Sequence, residues 1–222
     1  MSWDPALYLS FGDHRTRPAA DLLARVPLKE PARIIDLGCG PGNSTALLAA
    51  RWPDAGLTGL DNSEAMLAEA RASGVAADWL MADLATWRAD AAYDLIFANA
   101  TLQWLGDQEN LLPRLMGFTA SGGAFAFQVP VNTQAPSHVL MRETADDPRW
   151  KEKLANVREI QRGTAQRYYD ILRPHAAALD IWQTEYLHVL EGEDAVYRWV
   201  SATGLRPFVQ ALGGAEREDF RL

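Results

Sequence analysis

The chain has 222 residues, a net charge of −8 and a pI near 5.0. Its length predicts one α/β domain with a sizeable core, and its acidic balance argues against a nucleic-acid partner. No apolar run approaches the roughly 18 residues that span a bilayer, and the first residues lack the basic and apolar regions of a secretory signal. The single cysteine, Cys39, suits a reducing compartment. We therefore expect a cytoplasmic protein that binds neither nucleic acid nor membranes.

Two elements are predicted ahead of the first strand. Residues 1–13 are rich in aromatic side chains and irregular, so they either pack against the domain or cover a cleft. The spacing of apolar residues predicts a helix from about Thr16 to Val26, which Pro27 ends.

A glycine-rich turn follows the first predicted strand. The segment Ile34–Asn43 reads as an apolar strand with an acid near its end, then three closely spaced glycines and the start of a helix over Ser44–Trp52. Glycine allows positive φ and a close approach of the backbone to a ligand. The helix start offers unpaired N–H groups and the positive end of its dipole. Together they predict a nucleotide or carboxylate site at the carboxyl end of the strand.

The glycine spacing argues against a dinucleotide. After Gly38 and Gly40, the G-x-G-x-x-G fingerprint needs its third glycine where Asn43 stands, and here Gly42 comes one residue early. Asp36 would repel a pyrophosphate and attract an ammonium group. A ligand with a nucleoside and an amino acid but no phosphate fits both facts, and S-adenosylmethionine is such a ligand. The alternative is an ordinary strand-to-helix turn.

The next two predicted strands, Leu57–Asp61 and Asp78–Asp83, also end in acids. In nucleotide-binding α/β sheets, an acid about twenty residues past the glycines accepts hydrogen bonds from both ribose hydroxyls, the role predicted for Asp61. Its alternative role is a helix cap. Asp83 could accept from an adenine amino group, with Leu84 beside the ring, or it could simply be a turn residue.

The later elements complete the predicted sheet. Tyr93–Asn99 is almost continuously apolar, as buried parallel strands are, and its tip would lie at the switch point where reacting groups bind. A helix over Gln108–Phe118 and a strand over Ala124–Val129 follow. Alternating apolar and polar residues predict a sixth strand over Leu179–Leu190.

These elements predict an α/β fold with a doubly wound, mostly parallel, Rossmann-like sheet. Residues 1–130 would form the cofactor-binding core with its N-terminal cover. Residues 131–178 would form a helical lid inserted after strand five, and residues 179–222 would add the sixth strand and C-terminal helices to the same domain.

Three acids at successive strand ends, with glycines only after the first strand, resemble the class I S-adenosylmethionine-dependent methyltransferases. Over nearly the whole chain, longer segments are similar to the trans-aconitate 2-methyltransferase family. These segments are Tyr8–Leu9, Arg15–Pro18, Asp36–Thr45, Phe97–Ala100, Leu102–Leu105, His138–Glu143, Tyr168–Leu172 and Ala202–Pro207. Class I methyltransferases usually close the sheet with an antiparallel C-terminal strand, and no candidate for it follows Leu190.

The resemblance implies transfer of a methyl group from S-adenosylmethionine to a carboxylate of trans-aconitate, giving a monomethyl ester and S-adenosylhomocysteine. A carboxylate with a pKa near 4 is already ionised at neutral pH. We therefore expect no general base, no catalytic side chain and no metal, only alignment of the reactants and exclusion of water. The expected partner is a small tricarboxylate, and the expected state is a monomer or weak homodimer.

The predicted site residues form two sets. The cofactor set is Arg15, Asp36, Gly38, Gly40, Asn43, Asp61, Asn62, Asp83, Leu84, Asn99 and Gln103. The substrate set, chosen because arginine forks and polar donors hold carboxylates, is Tyr8, Trp104, His138, Arg142, Tyr168 and Arg206. Each arginine could equally be a solvated surface charge, His138 a capping or core residue, and Tyr168 a core residue.

Other functions fit the sequence less well. A nicotinamide-dependent reductase would need the longer glycine spacing and a proton donor, and a non-catalytic nucleotide-binding module would be expected to lose the three acids. Among methyltransferases, the alternative acceptors are another small carboxylic acid or an acyl-carrier-bound malonyl group. Carrier proteins are acidic, and this sequence offers no basic docking patch.

Overall fold

The computed structural model describes residues 12–155, 157, 163–201 and 203–220, and the side chains of residues 12–15 and 218 lie outside this description. The chain forms two compact units. The described part of the first comprises residues 12–130 and 163–184, and that of the second comprises residues 131–155, 157, 185–201 and 203–220.

The first unit is built on a parallel sheet. Its strands run in the order β3-β2-β1-β4-β5, and every pairing is parallel. The central strand is buried on both faces, which explains its continuous apolar sequence. This confirms the predicted α/β class. The strands are β1 Arg33–Leu37, β2 Gly56–Asp61, β3 Asp78–Met81, β4 Tyr93–Asn99 and β5 Thr119–Gln128.

Helices connect β1 to β2, β2 to β3 and β4 to β5, and they form most of the second unit. Two of them begin with a side-chain cap: Ser63 accepts from the Met66 N–H, and Thr164 accepts from the Arg167 N–H. The helices are α1 Gly12–Ala24, α2 Asn43–Arg51, α3 Glu64–Ala72, α4 Gln108–Met116, α5 Pro136–Ala145, α6 Lys151–Leu154, α7 Ala165–Leu172, α8 Ala195–Ser201, α9 Arg206–Ala211 and α10 Gly214–Asp219, with 3₁₀ turns at Leu102–Trp104 and Arg173–His175.

The core of the first unit lies on both faces of the sheet, as a doubly wound fold requires. On one face, Ile34 packs with residues of α1 and α2. On the other, Ile35 and Leu37 pack with residues of α4 and α7. The alternating directions of neighbouring β1 side chains divide them between the two clusters.

The predicted sixth strand is wrong: residues 179–190 of the described chain contain no strand. Alternating apolar and polar residues specify a chain with two faces but not a hydrogen-bonding partner. Here Leu187 and Val189 are 84% and 80% exposed, so their apolar side chains find no core. Trp182, which belongs to the first unit, instead lies under the guanidinium of Arg25 in the same unit. The Arg25 Cζ is 4.3 Å from the centroid of the Trp182 ring.

The compact units divide the chain at other positions than the predicted domains. Residues 163–178, placed by sequence in the lid, belong to the first unit. The cause is the apolar face of α7, where Tyr168 and Leu172 join the core cluster of that unit.

The second unit is helical. Its core comprises Met141, Trp150, Leu154, Val200, Leu205, Leu212 and Phe220. Within the part of the chain that the structure describes, no helix has the length and apolar character needed to cross a membrane.

Candidate active site

The glycine turn between β1 and α2 is held against the tip of β4. Gly38 has a φ of 68°, and a Cβ added there would lie 2.2 Å from Thr101 Cγ2. The Thr101 hydroxyl donates to the Gly38 carbonyl over 3.2 Å. Only glycine meets both constraints. Thr101 was not among the predicted site residues, although it lies two residues past Asn99.

Asp36 is fully buried behind this turn, at 0% exposure. The hydroxyls of Ser44 and Thr45 each donate to its Oδ2 over 2.7 Å, while Oδ1 has no hydrogen-bond partner among the described residues. Burial raises the pKa of Asp36 to about 6, with the two hydroxyls opposing the rise and the charge of Asp61 adding to it. Because an unpaired buried carboxylate oxygen is costly, a cation in the adjoining pocket would offset that cost through the low-dielectric interior.

Asp61, at the end of β2, binds two backbone N–H groups. Its Oδ2 accepts from Gly40 and its Oδ1 from Ser63, each over 2.9 Å. Burial raises the pKa of Asp61, and the backbone hydrogen bonds oppose that rise. Each carboxylate oxygen keeps a further lone pair, so the group can still accept from ribose hydroxyls while it shapes the glycine turn.

The residues predicted around an adenine ring have different environments. Asp83 is exposed, and its Oδ1 accepts from the Ala85 N–H over 2.9 Å, the turn geometry given above as its alternative. Leu84 is only 5% exposed and packs in the core. Asn62 is exposed beside Asp61.

Two predicted cofactor residues lie at the tip of β4. The Oδ1 of Asn99 accepts from Gln128 Nε2 over 3.2 Å. The Nε2 of Gln103 donates to the Ala100 carbonyl over 2.7 Å, and its buried Oε1 has no partner among the described residues. Ala100 has a positive φ of 52°, which is strained for a residue with a Cβ. This strained backbone lies at the site.

These elements line a small pocket that is partly open to solvent. The predicted residues Gly38, Gly40, Asn43 and Asn99 line it together. The remaining lining residues are Thr16, Ala19, Cys39, Pro41 and Ser44. The backbone approach at the glycines and the buried carboxylate behind them fit a cationic, phosphate-free ligand.

Two predicted substrate residues belong to the first unit. Tyr168 is 7% exposed, its hydroxyl accepts from the Gly163 N–H over 3.2 Å, and its ring packs on Phe127. Burial raises the pKa of Tyr168. These contacts match its alternative role as a core residue. Trp104 is half-buried in the 3₁₀ turn after β4.

Three predicted substrate residues belong to the second unit. His138 and Arg142 lie one turn apart on α5. A Cβ added at Gly204 would lie 3.0 Å from His138 Nε2, so the imidazole packs on the segment that leads into α9. Arg206 is the first residue of α9 and is half-buried. The fold thus brings His138 close to the segment that carries Arg206.

Tyr8 lies outside the described residues, as does the side chain of Arg15.

Comparison with known proteins decides the family. A family model described as a methyltransferase domain matches residues 34–123, from β1 into β5. A trans-aconitate 2-methyltransferase of Streptomyces avermitilis is 51% identical over 99% of this chain and 85% of its own length. Its counterpart in Azoarcus sp. is 50% identical over 97% of this chain and 85% of its own length. The chain belongs to the trans-aconitate 2-methyltransferase family.

Membership confirms the predicted family and the prediction of an S-adenosylmethionine-dependent methyltransferase. The fold agrees: a chain in the solved complex between the Haloferax volcanii Trm112 methyltransferase activator and a methyltransferase superposes with a TM-score of 0.56. It is 22% identical and covers 74% of this chain and 70% of its own. Membership in this family also excludes the two alternative functions, a nicotinamide-dependent reductase and a non-catalytic nucleotide-binding module.

Proposed function

We propose that this family member is a carboxyl O-methyltransferase that forms the monomethyl ester of trans-aconitate. The observation that carries the proposal is the near-full-length similarity to relatives named trans-aconitate 2-methyltransferase, at 50% and 51% identity. S-adenosylmethionine, when bound, supplies an electrophilic methyl group, whose transfer to a carboxylate oxygen leaves the ester and S-adenosylhomocysteine.

The pocket at the carboxyl ends of β1 and β4, together with Asp61 at the end of β2, is the proposed cofactor site. Asp61 would accept from the ribose hydroxyls, since its Oδ2 lies against the glycine turn and its Oδ1 against the start of α3, each with a lone pair to spare. The buried charge of Asp36 would stabilise the bound ammonium group of the cofactor. Asp83 would accept a hydrogen bond from the adenine amino group. Asn43, Asn99 and the glycine backbone would complete the walls.

The acceptor needs cations rather than a base. All three carboxylates of trans-aconitate are ionised at neutral pH, so no group of the chain has to remove a proton. Arginine pairs with a carboxylate through two parallel hydrogen bonds. Arg142 and Arg206, with His138 as a further donor, are the proposed carboxylate ligands of the second unit. The roles of Tyr8, Trp104 and Tyr168 stay predictions.

Alignment is the proposed source of the rate. Holding a carboxylate oxygen in line with the methyl carbon can supply about 7–11 kcal/mol of the barrier. The rigid turn at Gly38, tied to Thr101, would hold the cofactor in one orientation.

The remaining parts of the proposal concern setting and assembly. The net charge of −8 supports a small-molecule acceptor over nucleic acid. The single buried Cys39 supports a reducing cytoplasm. We expect a monomer or weak homodimer, which light scattering can check.

A methyl-transfer assay tests the function. The purified protein is given S-adenosylmethionine with trans-aconitate, cis-aconitate, citrate, tricarballylate or a malonyl group on an acyl carrier. Mass spectrometry should find one added methyl group on trans-aconitate and one S-adenosylhomocysteine per ester, with the highest kcat/KM for that acceptor. Binding of S-adenosylmethionine without methylation of trans-aconitate, or a faster reaction with another acceptor, would overturn the proposal.

A further inference from the structure

Arg114 lies on α4, apart from the residues that line the pocket, yet it holds the turn that carries Asp83. Its Nη2 donates to the carbonyl oxygens of Leu84 and Ala85 over 2.9 and 3.0 Å. Its Nη1 donates to the carbonyl of Trp87 over 2.5 Å. One guanidinium thus gathers three carbonyls of a turn that is 27–30 residues away in sequence.

Hydrogen bonds within the turn after β3 close it locally. The N–H groups of Thr86 and Trp87 donate to the Asp83 carbonyl over 3.0 and 2.8 Å, and the Asp83 carboxylate accepts from the Ala85 N–H. These bonds set the shape of the turn. Leu84 anchors the turn in the core, and Trp87 packs edge-on against Phe118. The described hydrogen bonds that tie the turn to another helix are those of Arg114, so Arg114 adds the directional contacts that orient it.

An arginine suits this place. Three carbonyl oxygens face the Arg114 guanidinium, and one of them, that of Trp87, also accepts from Arg88 Nη1 over 3.0 Å. The guanidinium presents several N–H donors in a rigid plane, whereas an ammonium is a single flexible point charge. Lysine could keep the charge but could not hold the same three oxygens in the same geometry.

We propose that Arg114 is a positioning residue for cofactor recognition: it fixes the turn at residues 83–87 so that the Asp83 carboxylate is presented to the adenine amino group. The inference rests on the proposed function, through the adenine role of Asp83. Arg114 would touch neither cofactor nor acceptor and would act only through the turn.

The test compares two ligands that differ at the adenine amino group. Dissociation constants of S-adenosylhomocysteine and S-inosylhomocysteine, in which an oxo group replaces that amino group, are measured by calorimetry. The variants are Arg114→Leu, Arg114→Lys, Asp83→Asn and the double variant Asp83→Asn with Arg114→Leu. Arg71→Ala is the matched control, because Arg71 is exposed on α3 and pairs only with Glu64 in its described contacts.

We expect Arg114→Leu to weaken S-adenosylhomocysteine binding by about tenfold or more, the loss associated with a charge-assisted hydrogen-bond set. It should reduce the preference for the adenosyl over the inosyl ligand to the level of Asp83→Asn. The double variant should lose no further preference. The ligand preference of Arg114→Lys should lie between that of the parent and that of Arg114→Leu. Arg71→Ala should match the parent protein, and the KM for trans-aconitate should stay unchanged in Arg114→Lys.

Each other result counts against the inference. If Arg114→Leu weakens both ligands equally, its role is structural. If Arg114→Leu does not fold, Arg114→Lys decides, and an unchanged ligand preference there overturns the proposal. If Asp83→Asn keeps the parent's preference, the adenine role of Asp83 falls and this inference with it. The methyl-transfer assay on the parent protein judges the proposed function separately.

Discussion

The backbone N–H of Gly40 donates to Oδ2 of Asp61 over 2.9 Å, which joins the glycine turn after β1 to the end of β2. The other oxygen of the same carboxylate holds the N–H of Ser63 at the start of α3. One side chain therefore shapes the turn and is the proposed ribose ligand. Its removal should therefore both loosen the glycine turn and remove the ribose ligand.

We expect Asp61→Ala to lower the affinity for S-adenosylmethionine by at least about tenfold, because charge-assisted hydrogen bonds contribute about 1.5–3 kcal/mol each. Calorimetry measures the affinity, and a thermal scan confirms the fold. Asp78→Ala, an exposed aspartate at the start of β3, is the control and should bind as the parent does. Unchanged affinity in Asp61→Ala would remove the ribose assignment.

The glycine turn allows a matched pair of substitutions. Gly38 and Gly74 have similar positive φ values, 68° and 77°, but a Cβ at Gly38 meets Thr101 while one at Gly74 meets nothing within 4 Å. Gly74→Ala should cost about 1–2 kcal/mol of unfolding free energy from backbone strain alone. Gly38→Ala should cost clearly more and abolish cofactor binding. Urea unfolding and calorimetry measure both effects, and equal losses in the two variants would contradict the argument.

Much of the fold could be predicted because it is set by local periodicity. The strand Tyr93–Asn99 has the bounds that its sequence predicts. The prediction of a sixth strand failed because a strand needs a hydrogen-bonding partner in the folded chain. The alternating residues around Leu187 and Val189 do not specify such a partner, and both side chains are exposed. β5 begins at Thr119, before the predicted Ala124, because its pairing with β4 passes through an irregularity that periodicity does not reveal.

The site was predictable where its residues follow strands. Asp36 and Asp61 were found because acids at strand ends are local features of the sequence. Thr101, Gln128 and Arg114 were missed because their roles come from contacts with residues 27 to 63 positions away in the sequence. Only the position of Thr101, beside the predicted tip at Asn99, could have indicated it.

The burial of Asp36 predicts how stability depends on pH. Its pKa is about 6 in the folded protein and 3.8 ordinarily, so between these values the folded state holds more protons than the unfolded state. The free energy of unfolding should therefore fall as pH rises from about 4 to 6 and lose about 3 kcal/mol in all. The side chain of Asp36→Asn cannot ionise. The unfolding free energy of this variant minus that of the parent, measured by urea unfolding, should therefore be larger at pH 8 than at pH 4.

Cofactor binding supplies the control for that result. A cationic ligand favours the ionised form of Asp36, so the affinity of the parent for S-adenosylmethionine should rise between pH 5 and pH 7. Asp36→Asn should bind more weakly with a flatter pH profile. An identical pH dependence of both stability and binding in parent and variant would show that Asp36 is not the titrating group.

Arg206, at the start of α9, should affect the acceptor and not the cofactor. An arginine–carboxylate pair contributes about 1.5–3 kcal/mol, so Arg206→Ala should raise the KM for trans-aconitate by about tenfold to a hundredfold. Steady-state kinetics should find the KM for S-adenosylmethionine nearly unchanged. Arg206→Lys keeps the charge but loses the planar fork. Its KM for trans-aconitate should lie between those of the parent and Arg206→Ala.

The second unit offers a control for this variant. Arg149 is exposed and paired with Asp147 over 2.9 Å, so Arg149→Ala should leave both KM values at those of the parent. Arg206 also begins a helix, and a thermal scan separates a loss of fold from a loss of carboxylate binding. A rise in both KM values by the same factor would place Arg206 outside the acceptor site, because a carboxylate ligand cannot weaken the cofactor equally without disturbing the fold.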